Sequence, residues 1–107
     1  MKYVVSLTDH ATQDLEQIYH YIYHYDQPKK ADDFLQHIEK ILNTLIELPE
    51  RGSFPKELFA LGIKEYREIY FKVYRIIYKL SGKKIYILLI ADGRRDLQTL
   101  LEQRLFS

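Results

Sequence analysis

The sequence predicts an α+β fold in which a small antiparallel β-sheet packs against an N-terminal helical hairpin, in the order β-α-α-β-β-β-α with a short C-terminal helix. Two observations carry this prediction. Apolar residues recur at helical spacing between Thr8 and Pro49, and from residue 64 onward Tyr, Ile and Val are abundant, which is typical of strands. Since the chain has 107 residues and neither a repeat nor a linker, we expect a single domain over 1–107 with a modest core.

The first half of the chain predicts one strand and two helices. Residues 1–7 form a short apolar stretch that indicates a strand, and Thr8 or Asp9 can then cap a helix. The apolar positions of that helix are Ala11, Leu15, Ile18 and Ile22. Pro28 suits the first turn of a second helix that ends before Pro49. Its apolar stripe consists of Ala31, Phe34, Leu35, Ile38, Ile41, Leu42, Leu45 and Ile46.

The second half of the chain predicts a sheet and a closing helix. A loop at 50–55 and a helical turn at 56–61 precede strands near 64–71, 73–80 and 84–91, and a helix follows over 94–105. Ser81-Gly82 indicates a tight hairpin between the last two strands. Alternation along the middle strand places one set of side chains on the better core face: Tyr74, Ile76, Tyr78 and Leu80. The closing helix has an apolar edge made of Leu97, Leu100, Leu101 and Leu105, with Asp96 in its first turn.

Charge is distributed unevenly along the chain, although the net charge is only +1. Residues 1–63 hold 6 Lys/Arg and 10 Asp/Glu, whereas residues 64–107 hold 10 and 5. A basic C-terminal half favours an acidic partner, either nucleic acid or an acidic protein segment, but its lysines would also serve to keep a hairpin soluble. The absence of Cys excludes disulfides and thiolate zinc sites and favours the cytoplasm. The N-terminal apolar stretch is too short for a signal peptide or a membrane span, so we expect no membrane partner.

The aromatic segment at residues 19–25 allows two special interpretations, a metal site and a platform for stacking bases. His20 and His24 lie one helical turn apart, yet a zinc site needs at least a third ligand and the nearby carboxylates lack a diagnostic spacing. The tyrosines divide between two sides of a helix, which argues against one stacking face. The favoured interpretation is that some rings lie against the sheet and others form a surface or partner contact. Since the sequence also has no nucleophile elbow, P-loop or dinucleotide-binding glycine pattern, we expect neither a metal nor a cofactor.

The remaining candidate site is a set of cations in the basic half: Arg67, Lys72, Arg75, Arg94 and Arg95. Guanidinium groups stay charged and present a planar fork of donors that suits carboxylate and phosphate oxygens. Arg94 and Arg95 open the closing helix at the end of the last strand, and Arg75 is expected on the outer, concave side of the sheet within reach of them. In the alternative interpretation these side chains form local ion pairs, Arg67 with Glu65 or Glu68 and Arg95 with Asp92 or Asp96.

Short motifs follow one another along nearly the whole chain. After the helical hairpin with Ala11, Asp14-Leu15 and Ile18, they are Leu48-Pro49-Glu50-Arg51-Gly52, Tyr66-Arg67-Glu68, Tyr74-Arg75-Ile76-Ile77-Tyr78 and Asp92-Gly93-Arg94-Arg95-Asp96-Leu97. In this order and spacing they resemble the RelE/ParE family of toxins from bacterial type II toxin–antitoxin modules. The resemblance implies a small α+β toxin that a cognate antitoxin protein neutralises, and it allows a homodimer or a hetero-oligomer with that antitoxin.

The resemblance leaves the target open between two branches of the family. RelE-like members cut mRNA on the ribosome, whereas ParE-like members poison DNA gyrase. Arg75 and Arg95 match the positions of two RelE-type arginines. Tyr66 and Glu68, however, stand where that branch has lysines, and Leu101 stands where it commonly has a tyrosine. Because attack by a 2′-OH needs a proton acceptor and a proton donor, which arginine does not supply, the resemblance favours a non-catalytic gyrase inhibitor. The alternatives are a ribosome-dependent endoribonuclease that uses the two arginines, and a non-toxic binding module.

Overall fold

A helical hairpin, a four-stranded sheet and a short final helix make up the fold, which the computed structural model describes over residues 2–106. The elements in chain order are β1 (Val4–Leu7), α1 (Asp9–Tyr25), α2 (Pro28–Glu47), α3 (Lys56–Phe59), β2 (Tyr66–Phe71), β3 (Tyr74–Ser81), β4 (Lys84–Asp92) and α4 (Leu97–Phe106). The predicted α+β class and element order are confirmed. Among residues 2–106, no helix combines the length and the apolarity needed to cross a membrane.

The sheet has the strand order β1-β4-β3-β2. The β2–β3 and β3–β4 pairs are antiparallel, as expected, but β1 pairs in parallel with β4. Two hairpin reversals make β4 run in the same direction as β2, and because the helical hairpin between β1 and β2 brings the chain back in its starting direction, β4 is also parallel to β1. The sheet is therefore mostly antiparallel, with one parallel edge strand that the sequence did not reveal.

One face of the sheet packs against α1 and α2. Thr8 caps α1, since its Oγ1 accepts from the Ala11 amide at 3.2 Å and donates to the Ile87 carbonyl at 2.9 Å. The predicted core face of β3 is confirmed, because Ile76 and Tyr78 are fully buried and their partners on the same face pack against them. The buried side chains of this layer are Ala11, Phe34, Ile38, Leu42, Leu45, Ile69, Ile76, Tyr78, Ile85, Ile87 and Ile90.

The opposite face of the sheet is covered as well, by α3 and α4. Its buried cluster consists of Leu58, Ile77, Leu89, Ala91, Leu97 and Leu101. Ile77 lies two residues from Arg75 on the same side of β3 and is completely buried. The expectation of an open, concave outer face around Arg75 is therefore wrong, because apolar residues on both faces of the two central strands require cover on both sides.

The closing helix begins at Leu97, three residues later than predicted. Asp96 ends the preceding turn and caps the helix, accepting from the Thr99 amide and hydroxyl at 3.2 and 2.7 Å. Arg94 and Arg95 consequently lie in the turn before α4 and not in its first turn. At its other end α4 is joined to α1, because Arg104 forms a two-pronged ion pair with Asp14 at 2.7 and 3.0 Å.

Candidate functional site

Arg75 lies within an ion-pair network and not on an open surface. It is 5% exposed, and its Nε donates to Glu68 Oε1 at 2.6 Å. Its Nη1 and Nη2 donate to the two carboxylate oxygens of Glu57 on α3, at 2.7 and 2.8 Å. The hydrogen bonds with Glu57 raise the pKa of Arg75 above its ordinary value and lower the pKa of Glu57. All three guanidinium nitrogens thus serve internal carboxylates, so the expectation that Arg75 offers a free cation is wrong.

Arg75 nevertheless lies beside the turn that follows β4, as expected. It is opposite Ala91 in the β3–β4 register, and Gly93 packs on its aliphatic part, where a Cβ would lie 3.1 Å from Arg75 Cδ. The Gly93 amide donates to the Val73 carbonyl at 2.7 Å, which fixes the start of the turn. The aliphatic part of the Arg75 side chain therefore packs against the turn, while its guanidinium group binds Glu57 of α3.

Arg94 folds back onto the end of its own strand. Its Nε and Nη2 donate to the carboxylate of Asp92 at 2.9 and 2.6 Å, and its amide donates to the same carboxylate at 2.9 Å. The side-chain hydrogen bond from Arg94 lowers the pKa of Asp92 to about 2. The Arg94 side chain is 78% exposed, so this pair is in contact with solvent and is screened by salt.

Arg95 is exposed in the same turn. Its amide donates to the Asp92 carbonyl at 3.1 Å, which fixes the backbone. The two acids proposed as its local partners are taken, since Asp92 binds Arg94 and Asp96 caps α4. Over residues 2–106, the Arg95 guanidinium makes no ion pair and no hydrogen bond. It is therefore available to an external anion.

Among residues 2–106, Arg67 and Lys72 share no hydrogen bond or ion pair with the arginines of this turn, although the hairpin that holds Lys72 is joined to the turn by the Gly93–Val73 hydrogen bond. Arg67 Nη1 donates to the carbonyls of Glu50 and Gly52, at 3.2 and 2.9 Å, and not to the acids proposed for it. Lys72 lies in the β2–β3 hairpin with a φ of 52°, in the left-handed region, and its Nζ lies 5.5 Å from the Phe71 ring centroid. The cations predicted to form one site are thus divided among a buried network, a loop contact, a hairpin and the turn before α4.

The aromatic segment of α1 forms pairs along the helix. Ring centroids are 5.0 Å apart for Tyr21 and Tyr25, and 6.0 Å apart for Tyr19 and Tyr23, so the predicted division into two sides is confirmed. The two histidine rings one turn apart stack at 6.3 Å. Within residues 2–106, no group of three or more His, Cys, Asp or Glu side chains is placed to hold a metal ion.

A surface feature that sequence reasoning missed is a pair of stacked phenylalanines beside α3. The ring centroids of Phe54 and Phe59 are 5.7 Å apart, and the side chains are 36% and 49% exposed. Arg67 Cζ lies 4.7 Å from the Phe54 centroid, and Lys64 Nζ lies 5.5 Å from the Phe59 centroid. The signal available in the sequence was one phenylalanine in a loop rich in turn-forming residues and a second in the short helical turn that follows it.

The three positions that depart from the nuclease pattern hold side chains poorly suited to proton transfer. The Glu68 carboxylate is 5% exposed and bound to Arg75, and Leu101 is apolar and buried. Tyr66 is partly buried against the apolar cluster of the second face, with Lys79 Nζ 5.8 Å from its ring centroid. In the turn before α4, Asp92 pairs with Arg94 and Asp96 caps the helix, so the charged group left unpaired by the described residues is the exposed Arg95 guanidinium, which suits binding more than acid–base chemistry.

The comparisons with known proteins agree with this fold. A family model described as the ParE toxin of type II toxin–antitoxin systems, parDE, matches residues 5–97. The chain is also similar to a solved structure described as a chromosomal ParDE TA system from P. aeruginosa, with 23% sequence identity and a TM-score of 0.67 over 84% of this chain and 95% of that chain. No curated protein matches the sequence significantly. At that identity the solved structure shows a shared fold, while the family model covers most of the chain: the protein belongs to the ParE toxin family of type II toxin–antitoxin systems.

Proposed function

We propose that this toxin inhibits growth by poisoning DNA gyrase in the cytoplasm, that it acts by binding and not by catalysis, and that a cognate antitoxin neutralises it. The observation that carries the proposal is the internal use of Arg75. One of the two arginines that match an mRNA-cleaving site donates with all three nitrogens to Glu57 and Glu68. A nuclease would need this cation on the phosphate, and it would need proton-transfer groups beside it.

Arg95 is the residue that we propose makes the main contact with the target, with Arg94 beside it. The Arg95 guanidinium is exposed and makes no ion pair and no hydrogen bond among residues 2–106, and the short turn between β4 and the cap of α4 holds its backbone. A cation with five donors on a fixed backbone suits a carboxylate or phosphate of a partner. Arg94 contributes less, because it must first give up Asp92.

The antitoxin is proposed to bind at a free edge of the sheet, along β1, which is the outer neighbour of β4. The Val4 and Thr8 amides donate to carbonyls of β4 and the loop before it, so the backbone groups of Val5 and Leu7 point away from β4. Beside them lies an apolar groove of about 360 Å³ between β1 and the helical hairpin. An open strand edge next to an apolar groove suits an added strand followed by an amphipathic helix.

The test combines a gyrase assay with an RNA assay on the same purified toxin. Gyrase is incubated with relaxed plasmid and increasing toxin, and supercoiling and protein-linked DNA breaks are measured. In parallel, a reconstituted translation reaction is analysed for mRNA cut at ribosome-bound codons. We expect lost supercoiling, trapped breaks and intact mRNA. Codon-dependent cleavage without an effect on gyrase would replace the proposal with the endoribonuclease alternative, and inactivity in both assays together with normal growth on induction would favour the non-toxic binding module.

A further inference from the structure

We propose that a phenylalanine patch on the toxin is a second contact surface for the target. The patch consists of Phe54, Phe59, Leu61, Lys64 and Arg67. It receives an acidic segment of the gyrase protein that carries an apolar side chain. The inference rests on the proposed function and adds a second surface of the toxin to the contact that Arg95 makes with the target. Leu61, two residues after Phe59, is 55% exposed, and the two phenylalanine rings stack on each other. Exposed apolar side chains gathered in one place on a small protein commonly mark an interaction site.

The patch is rigidly held, which favours binding. Pro55 and Leu58, which alternate with the exposed rings along the loop and α3, are both almost fully buried. Ser53 forms a bridge with Glu68 of β2 through two backbone hydrogen bonds of 2.7 and 3.1 Å, and Glu57 is bound to Arg75. A partner that docks here loses little free energy to ordering the backbone of the toxin, because the residues next to the exposed rings are anchored.

The charges around the rings indicate the chemistry of the occupant. Lys64 is exposed, lies over Phe59 and has no acidic partner among residues 2–106. Arg67 uses Nη1 for two loop carbonyls, and its Nε and Nη2 make no hydrogen bond with the described residues. Two cations with unused donors at the edge of an apolar pair fit an apolar anchor flanked by carboxylates. A partner with basic residues would meet repulsion on both sides of the anchor.

The arrangement of the rings favours a protein segment over nucleic acid. Base stacking needs an open aromatic face. Each phenylalanine ring here has a cation over it and stacks on the other ring. The ring edges and the neighbouring Leu61 remain for contact, and these suit aliphatic or aromatic side chains of a protein.

The Arg75 side chain contacts both α3, which carries part of the patch, and the turn that carries Arg95. Arg75 binds Glu57 in the middle of α3, and its aliphatic part packs under Gly93, two residues before Arg95. Both surfaces therefore lie on the face of the sheet that α3 and α4 cover, whereas the proposed antitoxin groove lies against α2 and β1. A single target that spans α3 and the turn would use both.

The experiment compares Phe59→Ala and Lys64→Glu with two matched controls, Phe106→Ala and Lys84→Glu, which alter an exposed ring and an exposed lysine elsewhere. Each purified variant is titrated against gyrase and relaxed plasmid, and its melting temperature and its affinity for the cognate antitoxin are measured. We expect the concentration for half-inhibition to rise at least about tenfold for both patch variants, as for side chains central to an interface. The controls should match the wild type, and Lys64→Arg should retain activity.

Four outcomes decide the inference. Patch variants that lose inhibition while keeping their melting temperature and antitoxin affinity support it. Patch variants that inhibit like the wild type overturn it and leave the proposed function standing. If the wild type itself fails to inhibit gyrase, the proposed function has failed, and the patch as a gyrase site falls with it. A Lys64→Glu loss that appears equally in binding to plasmid alone would assign the patch to DNA and overturn the protein partner.

Discussion

Replacing Arg75 by methionine should lower the free energy of unfolding by about 3–5 kcal/mol, because it leaves two carboxylates facing an apolar side chain in the interior. The magnitude follows from the geometry. Three charge-assisted hydrogen bonds of 2.6, 2.7 and 2.8 Å are lost together, and Glu68 is only 5% exposed and cannot reach water without moving β2. Glu57 is less affected, since its side chain lies nearer the surface at 13% exposure. For a domain whose total stability is typically about 5–15 kcal/mol, the loss is large.

Urea unfolding followed by circular dichroism at neutral pH measures this effect, and a second substitution separates its causes. If the cost arises from the stranded Glu68 carboxylate, Arg75→Met with Glu68→Gln should recover at least half of the lost free energy, because a neutral amide is less costly to bury. Thermal unfolding should show Arg75→Met lowering the melting temperature by more than about 12 °C. A loss below about 1 kcal/mol, as for exposed ion pairs, would refute the reasoning that the network is buried and structural.

Three further predictions concern stability. Gly52→Ala should cost about 2–3 kcal/mol, since the new methyl would lie 2.6 Å from a carbonyl oxygen and 2.7 Å from a phenol oxygen. The control Gly62→Ala has open space and should lose only about 1 kcal/mol through its positive φ, and equal losses measured in urea would contradict this. Asp14→Asn should speed hydrogen exchange of the Ile90 amide, which donates to that carboxylate at 3.0 Å, and unchanged exchange would count against the contact. The hydrogen bond from Arg75 lowers the pKa of Glu57 below its ordinary value of 4.5, so at low pH the unfolded chain binds a proton more readily than the folded protein. The stability that Glu57 contributes should therefore be complete above pH 4.5 and be lost as the pH falls through the pKa of the folded state. Glu57→Gln should flatten this fall in stability, and parallel stability curves for the variant and the wild type would disprove the assignment.

The elements with a periodic pattern of apolar residues could be predicted from the sequence. The spacing of apolar residues gave the two helices, and Thr8 is the cap that its position indicated. Alternation along β3 identified the buried face that includes Ile76 and Tyr78. Each of these features depends on residues within a few positions of one another, where backbone geometry alone decides which side chains share a face.

The environment of Arg75 could not be predicted in the same way. Its partner Glu57 lies 18 positions earlier on a helix of four residues, and no periodic pattern connects the two. The sequence did not predict that α3 and α4 cover the second face of the sheet, and this cover is what buries Arg75. The apolar residues Ile77 and Leu89 on that face indicated that it is buried. A charged residue beside such apolar neighbours indicates an internal partner, and this was the available signal.

Growth inhibition by two toxin variants tests most directly whether Arg95 contacts the target while Arg75 only holds the fold together. The first is Arg95→Ala, and the second is Arg75→Met combined with Glu57→Gln and Glu68→Gln, which neutralises the whole network. Both are induced to equal soluble levels, with folding checked by circular dichroism. Arg95→Ala should be folded and lose growth inhibition, whereas the neutralised variant, where folded, should still arrest growth. A folded Arg95→Ala protein that arrests growth like the wild type, beside a folded neutralised variant that does not, would contradict the account.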